Sequence, residues 1–184
     1  MSRAYYYFAA SLPMIDFDNK PPFSVENYLE DCLRLLSRND FELMNELLTQ
    51  KELPEYTDDQ VVNAWIKFYE GFWNELTWQR AKRAGKDPES FIRSRANADS
   101  RQAEVIQRAL KEVDLLEAER ILDRFRWEFL NELEKGQFFN FGFLVIYGLK
   151  LKILEKYQRI QSSQGQEIFE EIKKVDLLTI RSQW

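Results

Sequence analysis

The sequence contains no histidine and a single cysteine, Cys32. Without histidine there is no Ser-His-Asp triad, no Cys-His dyad, no histidine-ligated haem and no histidine-containing zinc or di-iron site. One thiol excludes intramolecular disulfides and thiolate clusters, and fits a reducing compartment. Glycine and proline are sparse, six and five in 184 residues, few for a loop-rich all-β protein. Long hydrophobic runs are missing too. The longest, Phe138 to Leu149, is interrupted by Asn140 and Gly142, and a membrane-spanning helix needs about 20 apolar residues. The N-terminal MSRAYYYFAASLPMIDF has one Arg and a short apolar run, and lacks the charge layout of a signal peptide. These absences lead to the expectation of a cytoplasmic protein with no catalytic residues, no metal and no cofactor.

What is present is typical of a folded chain: 45% hydrophobic, 31% charged and 15% aromatic residues. A chain of this length buries roughly 70% of its unfolded surface and needs no metal or disulfide staple. One domain is expected over 1–184, with a subdivision near 85–88 as the alternative. The net charge is −5, unevenly spread: residues 80–108 carry eight basic and four acidic groups, whereas residues 1–79 carry six and fourteen. Such a mildly acidic protein gives no general electrostatic reason to bind nucleic acid, although a local basic strip can hold an acidic partner.

Nearly every long segment repeats its apolar residues with a helical period, and none alternates as a half-buried strand does. The aromatic run Ala4–Leu12, closed by Pro13, is the exception; its propensity predicts an extended segment. Ser24 is placed to cap a helix over about 25–36, and Ser37 or Asn39 a second carrying Phe41, Met44, Leu47 and Leu48. Thr57-Asp58-Asp59-Gln60 reads as a capping box opening a helix to about Arg83, stopped by Gly85. Its apolar stripes, including Val61, Trp65, Phe68 and Phe72 on one side and Ile66 and Tyr69 on the other, predict burial on two sides and a central position. Asp87-Pro88 restarts the chain as an N-cap and first-turn proline, predicting a helix over about 88–111 whose middle, Arg93 to Arg101, has almost no apolar stripe. Asp114 opens a helix closed by Gly136, a last long helix is predicted over about 138–161, and residues 166–174 form one or two more turns before a tail that can be extended. The expected fold is mostly all-α, an antiparallel bundle of long helices with a short extended N-terminal segment.

Few residues invite a chemical role. Glu117, Glu119 and Asp123 cluster on one helix, but without histidine or a second carboxylate motif they read as a solvated face, paired at i,i+3 or i,i+4 with Arg120, Arg124 and Arg126. Cys32 lies on an apolar stripe and reads as a core thiol. Gly85, among Arg80, Lys82, Arg83 and Lys86, has no Walker spacing and reads as a helix stop. The Trp65–Trp78 aromatics beside the basic strip pair stacking groups with cations, as single-strand binders do, but their helical spacing places most of them in the core. The strip itself is the candidate surface for another protein, through Arg80, Arg83, Arg93, Arg95 and Arg101.

Three segments carry a family resemblance: YYYFAASLPMIDFDNKPPFSVENYLEDC, NAWIKFYEGFWNELTWQRAKRAGKD and VDLLEAERILDRFRWEFLNEL. Together they resemble a family of uncharacterised bacterial proteins encoded alongside subunits of V/A-type ATP synthases. YYYxxASLPM, the RAKRAGKD turn and LLEAERxLDxxRWxxLxEL are the most specific parts. Separately, GFLVIYGLKLKILEKYQRI and RAKRAGKDPESFI are similar to the helices and a loop of the all-helical C (or d) subunit of V/A-type ATPases, a socket between rotor stalk and membrane ring. The resemblance implies a non-catalytic subunit or assembly factor of an ion-translocating ATPase, with ATPase subunits as partners at the inner face of the membrane. The alternative is a free-standing helical adaptor or homodimer; an enzyme working with carboxylates alone would need a pocket of close acidic pairs, which the periodicity does not predict.

Overall fold

The computed structural model describes residues 5–50, 53–92 and 99–161. The expected turns over 166–174, the tail, Arg93 and Arg95 lie outside the described residues. Seven α-helices occupy most of them: α1 (Tyr6–Ser11), α2 (Val25–Leu35), α3 (Arg38–Thr49), α4 (Gln60–Arg83), α5 (Ser100–Lys111), α6 (Leu115–Glu134) and α7 (Phe141–Gln161). A 3-10 turn over Pro88–Phe91 lies between α4 and α5, and no strand occurs among the described residues.

Short polar side chains set the helix starts by accepting from free backbone N–H groups. Ser24 Oγ accepts from Asn27 N and Ser37 Oγ from Asp40 N. At α4 the cap is Asp59, not Thr57: Asp59 Oδ1 accepts from Val61 N at 2.9 Å and Val62 N at 3.0 Å. Thr57, the expected cap, stands two residues before it, its hydroxyl accepting from Asp59 N. Asp114 Oδ1 accepts from Leu116 N and Glu117 N to start α6, and Asn140 Oδ1 from Phe143 N to start α7. Gly85 and Gly136 follow α4 and α6 at φ +69° and +86°, the left-handed conformation in which glycine ends helices at least cost.

Three further expectations change. The N-terminal aromatic run is helical over Tyr6–Ser11 rather than extended. Tyr5, Phe8, Ala9 and Leu12 fall at helical spacing and pack on the core, with Phe8 stacked 5.8 Å from Tyr28; tertiary burial overrides aromatic strand propensity. The helix expected over 88–111 is not continuous. Ile92 is extended, and α5 begins afresh behind Asp99, whose carboxylate and the Gln102 side chain form a capping box. Lastly, α7 rather than α4 is central. It packs against α2, α3, α4 and α6, and most of its residues from Phe141 to Leu151 are buried. Gly148 permits this close packing: a Cβ there would lie 2.9 Å from both Leu48 Cδ1 and Tyr28 Cε1.

Side-chain pairs show the helix directions. Lys150 meets Glu134 while Lys156 meets Asp123, so α7 runs antiparallel to α6. Phe68 stacks on Phe129, with ring centroids 3.9 Å apart, and Phe72 lies against Phe125, so α4 is antiparallel to α6 as well. All the buried apolar residues described except Ala81, from Phe8 to Leu154, form one cluster dominated by these aromatics and by α7. No helix among the described residues is long and apolar enough to cross a membrane.

Candidate functional site

The last turn of α4 carries Arg80, Lys82 and Arg83, where cations interact favourably with the helix carbonyl end. Arg83 Nη1 donates to the Leu110 carbonyl near the end of α5, tying the two C-termini together. Beside this tie lies a groove of about 870 Å³ between α4 and α5, lined by Trp78, Lys82, Arg83, Gln107 and Lys111, with Glu104 as the one carboxylate among its described residues. Lys82 Nζ sits 5.0 Å from the Trp78 ring centroid, a cation–π contact that keeps the ammonium at the groove. Gln79 fixes the spacing of the walls by donating to the Ala103 carbonyl at 3.0 Å.

The basic strip is thus not one linear face. Arg80 is exposed on α4, and Arg83 borders the groove, but Arg101 turns towards α6, 3.5 Å from Glu132 and over the Phe125 ring. In its place Lys111, eleven residues beyond the start of α5, enters the groove from the opposite wall. Sequence reasoning passed over Lys111 because only the crossing of two helices brings it beside Lys82 and Arg83.

A second cluster was also read differently from sequence. Asp123 is 1% exposed and does not lie on a solvated face. It accepts from Arg126 Nη1, from Lys156 Nζ at 2.6 Å and from the Tyr157 hydroxyl at 2.9 Å. Lys156 reaches on to Glu119 at 2.7 Å. Arg126, itself 9% exposed, lies with its guanidinium carbon 4.4 Å from the Phe72 ring centroid. Burial, then the Asp123 charge, pushes the Tyr157 hydroxyl far above its usual range, so it remains a donor. Of the expected i,i+3 and i,i+4 pairs, Arg126 to Asp123 forms, whereas Arg120 and Arg124 both reach across to Asp18 at the start of the chain. These two guanidiniums, Arg124 foremost, hold the Asp18 carboxyl below its ordinary value. A signal for this burial was present: Leu116, Asp123, Trp127 and Leu130 follow a helical stripe, so the carboxylate occupies a core position.

Cys32 is fully buried, as its stripe position predicts, and burial pushes its thiol up to about 12, which removes thiolate reactivity near neutral pH. No group of three or more Cys, Asp or Glu side chains among the described residues is arranged to hold a metal ion.

Residues 98–179 match the model of a family described as a protein of unknown function, DUF2764, a region that includes α5, α6 and α7. That description names no activity and no partner; an uncharacterised family is what it shares with the resemblance drawn from sequence. No curated protein and no solved structure matches the chain.

Proposed function

We propose that this protein is a non-catalytic binding subunit or assembly factor of a V/A-type ion-translocating ATPase, docking an acidic segment of a partner subunit through the groove between α4 and α5. The observation that carries this reading is the concentration of Lys82, Arg83 and Lys111 around Trp78, opposed among the described residues by Glu104 alone. Arginine and lysine around an aromatic floor suit an acidic helix or loop, steering its approach and then excluding water from the contact. The choice of an ATPase rests on the sequence resemblance of the three quoted segments. Coupling or assembly by contact needs no bond chemistry, in keeping with a chain that lacks histidine.

The test is affinity purification of the tagged protein from its native cells under gentle detergent, followed by mass spectrometry. Near-stoichiometric ATPase subunits are expected with the unaltered chain. A Lys82→Glu, Arg83→Glu, Lys111→Glu variant should lose them while keeping its helical circular dichroism. A parallel variant reversing Arg93, Arg95 and Arg101 reports on the remainder of the strip. Unchanged recovery with both variants would remove the basic surface from the reading, and absence of ATPase subunits from the unaltered pull-down would remove the ATPase.

A second reading, a homodimeric adaptor, has one observation in its favour. Tyr6 packs on Phe139 at 5.5 Å, and Tyr7 and Phe138 beside them are 95% and 74% exposed. Light scattering across a concentration series separates the readings, since a dimer of this kind should lose its association when Tyr7 and Phe138 become Ser.

A further inference from the structure

Between α3, α4, α6 and α7 lies a cavity of about 270 Å³. Leu47 of α3, Leu149 and Ile153 of α7 and the Trp65, Tyr69 and Trp73 rings of α4 provide apolar and aromatic walls. Its charged lining is unbalanced: Arg126, Lys152 and Lys156 face two carboxylates, Glu119 and Asp123. Those carboxylates are already engaged, Glu119 by Lys156 and Asp123 by Lys156, Arg126 and Tyr157. The Arg126 Nε–H, without an acceptor among the described residues, is sealed from the cavity, and one donor group is left over at the cavity itself. The Lys152 ammonium carries three N–H bonds, and its acceptor among the described residues is the Leu47 carbonyl at 3.3 Å. Burial, with Arg159 adding to it, lowers the Lys152 pKa, as a cation short of counter-charge requires.

A half-buried cation short of acceptors beside apolar walls costs free energy, and an entering anion relieves it. The cavity also exceeds the ~150 Å³ that accommodates a benzene ring. We infer that this cavity binds a small aromatic monocarboxylate, its carboxylate drawn to Lys152 and its ring set among Trp65, Tyr69 and Trp73. The groove between α4 and α5 plays no part in this site, and the two readings stand or fall separately.

The probe is 3-phenylpropanoate, titrated into the full chain by calorimetry and tryptophan fluorescence. Its uncharged amide and acetate serve as comparisons. Saturable one-to-one binding of the acid is expected, with the amide, acetate and a Lys152→Met variant each at least about tenfold weaker, the scale of one charge-assisted hydrogen bond. In the unaltered protein the resonances of the Lys152 side-chain end should shift with the acid and hold still with the amide, a readout that does not depend on any variant folding. The inference is overturned if the acid does not saturate, if the amide binds equally well, if acetate matches the acid, or if a folded Lys152→Met variant binds unchanged.

Discussion

At Asp123 a carboxylate is taken out of water and held by a guanidinium, an ammonium and a phenol from two helices. Such a group stabilises the fold only while its partners remain, because each survivor of a broken pair stays buried and charged. Asp123→Leu should therefore cost about 3–5 kcal/mol, and Arg126→Met a similar amount, in urea unfolding at neutral pH. The double variant should cost clearly less than the two singles added, since it removes both charges together. Additive losses would mean that the pair is not coupled as its geometry requires. The position was legible as a core position on the α6 stripe, yet its charge argued for solvent. Stripe and charge conflict within α6 alone, and only Lys156 and Tyr157, more than thirty residues later, resolve the conflict.

Individual helices follow local rules closely where the caps are short polar side chains and the stripes are apolar. The starts of α2, α3 and α6 were readable because Ser24, Ser37 and Asp114 act on backbone groups two or three residues away. The N-terminal run misleads for the opposite reason: its six-residue helix has little stability of its own and exists by packing on Tyr28. Gly148 belongs to this scale as well. A methyl group there would press on Leu48 and Tyr28 from the middle of α7, so the gain in helix propensity is outweighed by overpacking. Gly148→Ala should destabilise the protein by about 1–3 kcal/mol in thermal or urea unfolding. A stabilised variant would show that α7 does not approach α2 and α3 so closely.

Across the whole molecule, one consequence of burying hydroxyls and a thiol in a common core is alkaline lability. Cys32 rises from an ordinary 9.0 to about 12 and Tyr147 from 10.0 to about 12, both chiefly through burial, and Tyr28 is held well above its ordinary value for the same reason. Each group is neutral when protonated, so between the ordinary and the raised value the folded chain holds more protons than the unfolded one. The stability they confer is complete below pH 9 and falls as pH climbs towards 12. Circular dichroism and tyrosinate absorbance followed together should show the buried tyrosines ionising in step with cooperative unfolding. Smooth tyrosine ionisation with the helices intact would contradict this core.

The order of apolar and capping residues by itself determined that the chain is helical, where most of the long helices begin and end, and that histidine-based chemistry is out of reach. These properties depend on groups a few residues apart. Tertiary structure alone decided which helix is central, which charges are buried and which cations share a face. The α7 helix became the core because Gly148 lets α2 and α3 close on it. Lys111 met Lys82 and Arg83 because α5 lies along α4. Both outcomes depend on distances between residues far apart in the chain, which no local period encodes.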